Sequence, residues 1–217
     1  MYTPAQPDRW WPDPLEQKHV EGCRVFADRQ LLIEDIGSRA RGGRIAEIGT
    51  EYGNFTAFLL QTLKPTTFHG YDLFDLHTKE TYGHSRPRDV MGSRTHRAYF
   101  EDRFSEHISA GTMKVFEGDS STEKMKQPDQ FYDLIYVDGD HTIEGASRDA
   151  GVARLKVKPG GVLVFNDYAL WDGTHKGKIW PYGVVHCVNH LCVQHGWRMA
   201  GFALQRTMFC DVALVRD

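Results

Sequence analysis

The chain has 217 residues, 41% of them hydrophobic and 25% charged, and a formal net charge of −3. This length favours a single domain, and the near balance of 26 basic and 29 acidic residues argues against a protein that binds nucleic acid phosphates. No apolar run approaches the roughly 20 residues of a membrane helix, and the first residues lack the apolar centre of a signal peptide. Four scattered cysteines are typical of a reduced compartment. We therefore expect a cytoplasmic protein.

The first segment, residues 1–16, contains four prolines and two adjacent tryptophans, which predicts an irregular N-terminal arm. An aromatic arm of this kind is compatible with a homodimer. Residues 17–40 predict one helix that ends before Gly42-Gly43. Its apolar stripe consists of Val20, Cys23, Phe26, Ile33 and Ile36. We expect residues 17–217 to form one domain.

Beyond this helix, seven short apolar runs alternate with helical stretches. The runs lie at 44–49, 67–72, 112–117, 131–138, 161–167, 197–204 and 207–215, and the helices at about 53–63, 92–109, 121–126, 142–156 and 181–195. Runs that are apolar on both faces, as at 131–138, are typical of parallel strands covered by helices. The pattern predicts a doubly wound α/β fold with a mostly parallel seven-stranded sheet and helices on both faces. The last strand is expected to be antiparallel, because Gln205-Arg206 has the length of a hairpin turn.

The connection at about 73–103 is longer than most loops in compact domains and is rich in His and Arg. Gly83 and Gly92 are candidate hinges within it. Connections of this length are usually functional lids or disordered, and a solvated basic insertion would have the same composition. The sequence is compatible with both a lid and a solvated insertion.

Ligands of doubly wound sheets bind outside the carboxyl ends of the strands, so these ends indicate candidate binding residues. Glu47 ends the first strand, and Gly49 and Gly53 follow it in a turn that leads into a helix. Such a turn allows close backbone approach and presents helix N–H groups to an anion. The turn lacks the G-x-G-x-x-G spacing, which disfavours a nicotinamide dinucleotide.

The next two strands end in further polar residues. Asp72 follows the glycine turn by about twenty residues, where an acidic side chain accepts hydrogen bonds from ribose hydroxyls. A role in a turn or as a helix cap is the alternative. Asp119 and Ser120 follow the third strand, and they either line an adenine site or cap the next helix.

Oxygen-bearing side chains end the two following strands. Asp138 ends one, and Asn166 and Asp167 end its expected neighbour. Adjacent parallel strands bring these side chains to one edge, where two carboxylates and an amide suit a hard cation such as Mg²⁺. His141 lies just beyond, with an ordinary pKa near neutrality that suits proton transfer. The alternative is that these residues only cap helices and form turns.

Together, these segments resemble the class I S-adenosylmethionine (SAM)-dependent methyltransferases. The resemblance covers about residues 44–215 and is carried by EIGTEYGNFT, the YD pair at 71–72, EGDSS, DLIYVDGDHTIEGASRDA and KPGGVLVFNDY. The VDGDH and FNDY segments are its most specific part. More narrowly, the chain is similar to metal-dependent small-molecule O-methyltransferases of the catechol and macrolide-sugar types.

The resemblance implies roles for individual residues. The cofactor positions of the family fall on Glu47, Gly49, Gly53, Asp72, Asp119 and Ser120, and its magnesium ligands on Asp138, Asn166 and Asp167. Catechol-type enzymes have Asp before Asn at the second of these strand ends, whereas this chain has Asn before Asp. Three residues after the first ligand, catechol-type enzymes carry a Lys base and sugar-type enzymes a His. His141 matches the sugar type.

The resemblance thus implies an enzyme that moves the methyl group of SAM to a hydroxyl of a small, sugar-like or catechol-like molecule. A divalent cation would orient the acceptor, and His141 would be the general base. One alternative is a metal-independent SAM methyltransferase. A nicotinamide-binding oxidoreductase and a non-catalytic binding module are alternatives from other classes. We expect no nucleic acid or membrane partner.

Overall fold

The structure of the protein is a computed structural model that describes residues 11–83, 85–119, 126–173 and 179–216. The helices are α1 (Gln17–Val20), α2 (Arg29–Asp35), α3 (Asn54–Leu63), α4 (Pro87–Met91), α5 (His96–Arg103), α6 (Ser105–Ser109), α7 (Ile143–Lys156) and α8 (Val184–His195). Short 3₁₀ turns occur at Ile36–Ala40 and Leu76–Thr78. In this described part, no helix is long and apolar enough to span a membrane.

The strands are β1 (Arg24–Phe26), β2 (Arg44–Ile48), β3 (Thr67–Asp72), β4 (Met113–Glu117), β5 (Tyr132–Val137), β6 (Val157–Phe165), β7 (Trp171–Asp172), β8 (Trp180–Pro181), β9 (Arg198–Ala203) and β10 (Asp211–Val215). Eight of them form one sheet in the order β1-β9-β10-β6-β5-β2-β3-β4, and β7 pairs with β8. Within the large sheet, β10 is antiparallel to both of its neighbours, and every other pairing is parallel. The predicted α/β fold with an antiparallel last strand is therefore confirmed.

The large sheet has eight strands, so the prediction of seven was wrong. The additional strand is β1, which lies inside the segment predicted as one helix, residues 17–40. Gly22 adopts a left-handed φ of +72° after α1, and the Asp28 carboxylate accepts a hydrogen bond from the Leu31 N–H at the start of α2. Between these two signals, Arg24–Phe26 pairs in parallel with β9.

The predicted two-residue hairpin between the last strands is also wrong. The Leu204 N–H donates to the Phe26 carbonyl at 2.9 Å, and the Gln205 N–H donates to the Ala27 carbonyl at 3.0 Å. These bonds continue the pairing with β1, so the connection to β10 is longer than a hairpin turn.

Helices cover both faces of the sheet, as predicted. One core cluster joins the sheet to α2, α3 and α5, through buried residues such as Ile33, Leu59 and Phe100. The other joins it to α7 and α8, through buried residues such as Ala150 and Val188. The two layers support the sheet, and its strand ends carry the polar residues predicted to form a site.

Candidate active site

The turn between β2 and α3 is held in a conformation that only glycine adopts without strain. Gly49 has a φ of +80°, and a Cβ atom there would lie 1.8 Å from the Asp138 carbonyl oxygen. Gly53 has a φ of +79°, and its Cβ would lie 2.5 Å from the Phe104 ring. Gly49 therefore allows the loops after β2 and β5 to approach each other closely. Gly53, the N-cap of α3, allows this helix to begin against the Phe104 ring.

Asp72, at the end of β3, anchors this turn. Its Oδ2 accepts hydrogen bonds from the N–H groups of Thr50 (2.8 Å) and Glu51 (3.1 Å), and its Oδ1 accepts one from Phe74 N–H (2.8 Å). A carboxylate has about four acceptor sites, so Oδ1 retains capacity toward a ligand. The predicted ribose-binding residue thus has a structural role in addition to any role in binding.

The connection after β3, predicted as a lid or a solvated insertion, is helical in part and braces the same turn. The buried His96 of α5 donates from Nε2 to the Glu51 carbonyl at 2.7 Å. Arg103 donates to the Tyr52 carbonyl at 2.6 Å and to Asn54 Oδ1 at 2.9 Å. Through these bonds, α5 fixes the backbone that faces the cavity described next.

A cavity of about 320 Å³ lies at the carboxyl ends of β2, β3, β4 and β5. Gly49, Asp72 and Asp119, three of the predicted cofactor residues, line it, together with Asp138. Leu73, Leu76, Lys79 and Tyr82 of the connection after β3 also line it. A volume of this order is typical of small-molecule and cofactor sites.

Two predicted cofactor residues, Glu47 and Gly53, do not line the cavity. They lie on either side of the turn between β2 and α3, which does line it. Glu47 is 1% exposed and accepts a hydrogen bond from the Thr56 hydroxyl of α3. Burial raises the pKa of Glu47 to about 8, although the Thr56 hydrogen bond and Arg29 oppose the shift. Glu47 therefore links β2 to the first turns of α3.

Charged side chains form another part of the cavity lining. Arg148 of α7 lies 3.7 Å from Asp119 Oδ2 and 3.9 Å from Asp140 Oδ2. Asp119 therefore faces a cation as well as the cavity. Ser120, the last predicted cofactor residue, lies outside the described residues.

Beside the cavity, the structure brings together the acidic residues predicted to bind a metal and the predicted base. His141 Nε2 lies 3.6 Å from Asp138 Oδ1 and 3.7 Å from Asp167 Oδ2. This nitrogen is buried and has no hydrogen-bond partner among the described residues. His141 precedes Thr142, the N-cap of α7, so it lies just before the helix rather than on its first turn.

Asn166, the third predicted ligand, points partly into a second, buried network. Its Nδ2 donates to Asp211 Oδ1 at 3.1 Å, and the Tyr136 hydroxyl donates to Asp211 Oδ2 at 2.7 Å. Gln205 donates to the same carboxylate at 2.7 Å. Asp211 is fully buried. Its hydrogen bonds fix the side chains of Asn166 and Tyr136 next to the acidic cluster.

The acidic cluster consists of Asp138 and Asp167 with His141 beside them. Burial and charged neighbours shift the pKa of all three groups. Burial raises the pKa of Asp138 well above its ordinary value, and the nearby Asp167 adds to the shift, while Arg29 opposes it. Burial raises the pKa of Asp167 to about 7, and Asp211 contributes in the same direction. Burial lowers the pKa of His141, although the neighbouring Asn166 amide and nearby acidic residues oppose the shift. His141 is therefore neutral at pH 7 and can accept a proton.

Two tyrosines flank the cluster. The Tyr182 ring stacks on His141, with centroids 4.8 Å apart and an interplanar angle of 21°. Tyr82 lines the cavity from the connection after β3. Burial and the nearby acidic residues, Asp138 among them, raise the pKa of both phenols above the ordinary range. The hydroxyls stay protonated and available as hydrogen-bond donors.

Among the described residues, no group of three His, Cys, Asp or Glu side chains has the arrangement of a metal site. A cation at the predicted position would therefore depend on two carboxylates with Asn166 or solvent.

Sequence reasoning missed Arg29 and Asp211. Arg29 begins α2, donates to the Tyr136 hydroxyl at 3.1 Å and lies 3.8 Å from Asp138 Oδ2. An arginine at a helix start gives no signal of this contact. Asp211 does give a sequence signal. It directly precedes the apolar run Val212–Val215, and a charged residue is unusual next to the residues of a buried strand.

Comparisons with known proteins agree with the geometry. A family model described as "Methyltransferase domain" matches residues 46–168. An O-methyltransferase family protein from Burkholderia thailandensis superposes with a TM-score of 0.58 at 14% identity, over 87% of this chain and 55% of that one. An O-methyltransferase from Bacillus cereus, in complex with S-adenosylhomocysteine (SAH), has a TM-score of 0.55 at 16% identity, over 86% and 78% of the two chains.

A SAM-dependent methyltransferase from Aquifex aeolicus matches over 93% of this chain and 92% of that one, with a TM-score of 0.54 at 13% identity. The chain spans about half the length of several solved structures that it matches. At these identities, the matches show a shared fold. No curated protein matches the sequence significantly. Because the family model covers more than half of the chain, the protein belongs to the methyltransferase-domain family.

Proposed function

We propose that the protein is an O-methyltransferase that transfers the methyl group of SAM to a hydroxyl of a small molecule, with His141 as general base. One observation carries the proposal. Asp138 lines the cavity at the strand ends and also lies 3.6 Å from the buried His141 Nε2. The binding cavity and the acid–base cluster thus share a residue, as a reaction between a bound donor and a neighbouring acceptor requires.

The lining of the cavity supports SAM as the donor. Gly49 carries no side chain that would reduce the space at the turn, and Asp72 Oδ1 retains acceptor capacity beside it. We propose Glu47, Gly49, Gly53, Asp72 and Asp119 as the residues that form or support the cofactor site, with Ser120 as a further candidate from the sequence alone.

The acidic cluster is compatible with a divalent cation. Asp138 and Asp167 both approach His141 Nε2, and burial, together with acidic neighbours, raises the pKa of each, so a bound cation would favour their charged forms. Mg²⁺ is usually bound through one or two carboxylates and keeps several waters, so two carboxylates with the Asn166 amide oxygen are a sufficient donor set. We propose Asp138, Asn166 and Asp167 as its ligands.

When bound, SAM supplies an electrophilic methyl group and a divalent cation lowers the pKa of the acceptor hydroxyl. The residues of the chain perform the remaining tasks. His141 Nε2 accepts the hydroxyl proton, since the ring is neutral at pH 7. Tyr182 stacks on the imidazole and keeps it oriented. Tyr82, from the proposed lid at about 73–103, lines the cavity and would help to exclude water when a donor is bound.

A metal-independent methyltransferase is the second candidate, and one observation favours it. Arg29 already places a positive charge 3.8 Å from Asp138 Oδ2, so the cluster contains a cation of its own. The family match gives no support to a nicotinamide oxidoreductase.

The test is methyl transfer from labelled SAM to a panel of vicinal diols, sugars and phenols, before and after removal of divalent ions with a chelator. Transfer that the chelator stops and Mg²⁺ restores is the expected result. Transfer that persists in chelator would favour the metal-independent candidate. If the folded protein binds SAH but methylates nothing in the panel, a non-catalytic binding module becomes the better interpretation.

A further inference from the structure

We propose that Arg29 is a positioning residue of the acceptor site, which acts as a built-in counter-ion of Asp138. It holds this carboxylate in one orientation and weakens its attraction for a divalent cation. The proposal rests on the proposed function for its catalytic part, whereas its metal-binding part can be measured without turnover.

The first support is the way Asp138 is oriented. Its Oδ2 lies 3.8 Å from the Arg29 guanidinium, and its Oδ1 lies 3.6 Å from His141 Nε2. The two oxygens therefore face opposite partners. Arg29 draws one oxygen toward α2 and leaves the other directed at the base. In the described part of the chain, no other Lys or Arg lies within 4.0 Å of Asp138.

The second support is that several contacts hold Arg29 itself in place. Its guanidinium lies over the Phe55 ring of α3, 4.3 Å from the centroid, and donates to the Tyr136 hydroxyl at 3.1 Å. That hydroxyl donates in turn to the buried Asp211 carboxylate. A planar guanidinium that stacks and hydrogen-bonds at once is pre-organised in a way that lysine is not.

The third support is the segment that delivers Arg29. Asp28 caps α2, which fixes the first residues of this helix, and β1 pairs with β9 just before it. The N-terminal segment thus inserts a permanent charge into the site from outside the part of the chain that the family model matches, which begins at residue 46. The side chain is 29% exposed, so it reaches the site while remaining partly hydrated.

The charge has two consequences that point in opposite directions. A positive charge beside Asp138 repels a divalent cation, so its removal should strengthen cation binding. The same removal frees Asp138 to rotate away from His141, so it should slow turnover. A merely structural role would instead weaken both properties.

The experiment compares the wild type with Arg29→Met, Arg29→Lys and a control, Arg24→Met. Arg24 lies in the same N-terminal segment but pairs with Asp35 on the surface. Mg²⁺ and Mn²⁺ binding is measured by calorimetry on the full chain, and SAH affinity, kcat and acceptor KM are measured separately. Arg29→Gln replaces the methionine variant if thermal melting shows that the latter does not fold.

We expect Arg29→Met to bind Mn²⁺ about tenfold more tightly, the effect of roughly one unit charge near a divalent ion. Its kcat should fall at least about tenfold, with SAH affinity unchanged. Arg29→Lys should bind Mn²⁺ like the wild type and turn over at an intermediate rate, and Arg24→Met should match the wild type in every respect.

Unchanged or weaker cation binding in Arg29→Met would overturn the proposal, as would wild-type turnover in that variant. If the wild type binds no cation, gain of binding in Arg29→Met supports the proposal, and absence of binding in both contradicts it. A wild type that fails to bind SAH would refute the proposed function instead, and the cation measurements would still decide the role of Arg29.

Discussion

At the scale of single residues, the proposed mechanism depends on a neutral histidine that lies beside two acidic side chains. His141 Nε2 lies within 3.7 Å of Asp138 and Asp167, and burial lowers its pKa. A base in this position loses its proton easily at pH 7. In the proposed mechanism, the proton that His141 accepts is stabilised by the acidic side chains beside it.

His141→Ala should therefore reduce kcat by about 10²–10⁴-fold, the usual contribution of a general base. SAH affinity should stay within about twofold of the wild type, because His141 does not line the cavity. Steady-state kinetics and SAH calorimetry measure the two effects. His107→Ala, on the exposed face of α6, is the control and should behave like the wild type. Full turnover in His141→Ala would remove this residue as the base.

Glu47 predicts a pH dependence of stability. Its pKa rises from 4.5 to about 8 in the folded state, so the folded protein holds a proton that the unfolded chain releases between these values. The stabilising contribution of Glu47 is then fully present below about pH 4.5 and is lost as the pH rises toward 8. The contribution of Glu47 to this loss between pH 5 and 8 is on the order of 3 kcal/mol.

Urea unfolding at pH 5 and pH 8 tests this prediction. Glu47→Gln should show a flatter pH dependence than the wild type, because glutamine does not titrate. Glu101→Gln, which changes a half-exposed partner of Arg97 on α5, should keep the wild-type dependence. The same pH dependence in Glu47→Gln as in the wild type would contradict the buried, protonated carboxyl.

The sequence predicted the strand-end residues that the structure brings together in the candidate site, and it missed those that reach this site from elsewhere. Asp138, Asp167 and His141 follow apolar runs, and parallel strands bring such residues to one edge. Arg29 comes from a helix start remote in sequence. Its contact with Asp138 depends on tertiary packing that no local pattern records.

At the scale of elements, the turn between β2 and α3 carries the strictest backbone requirement. Gly49→Ala places a Cβ against the Asp138 carbonyl and imposes a left-handed φ on alanine. We expect a loss of roughly 2–5 kcal/mol in the free energy of unfolding, together with loss of SAH binding.

Gly111→Ala is the matched control for this variant. Gly111 has a φ of +73°, but a Cβ there would meet no atom within 4 Å. It should lose only roughly 1–2 kcal/mol and should bind SAH normally. Chemical denaturation and calorimetry compare the two variants. Equal losses of stability in both would show that the close approach at Gly49 is unimportant.

Elements with long periodic patterns were predicted well, and β1 was not. The helices at 54–63 and 143–156 follow predictions at about 53–63 and 142–156. By contrast, β1 has three residues, and its pairing partner, β9, lies near the other end of the chain. Its apolar residues also fit a helical stripe, so only the tertiary pairing distinguishes the two structures.

At the scale of the whole molecule, strand order brings the site together. β5 lies between β2 and β6, so the glycine turn after β2 and the acidic strand ends after β5 and β6 meet at one edge. β3 and β4 extend the same edge beneath the connection after β3. The cavity and the acidic cluster therefore arise from one mostly parallel sheet, which places the proposed donor and acceptor sites side by side.

The central claim is that this edge binds SAM, and thermal unfolding with SAH, with and without Mg²⁺, tests it most directly. At about a hundredfold excess of SAH over its Kd, we expect a stabilisation of roughly 2.7 kcal/mol. For a domain of this size, that corresponds to a rise of roughly 5–11 °C in Tm. A further change with Mg²⁺ would support the acidic cluster as a cation site. An unchanged Tm of the folded protein in saturating SAH would contradict the account.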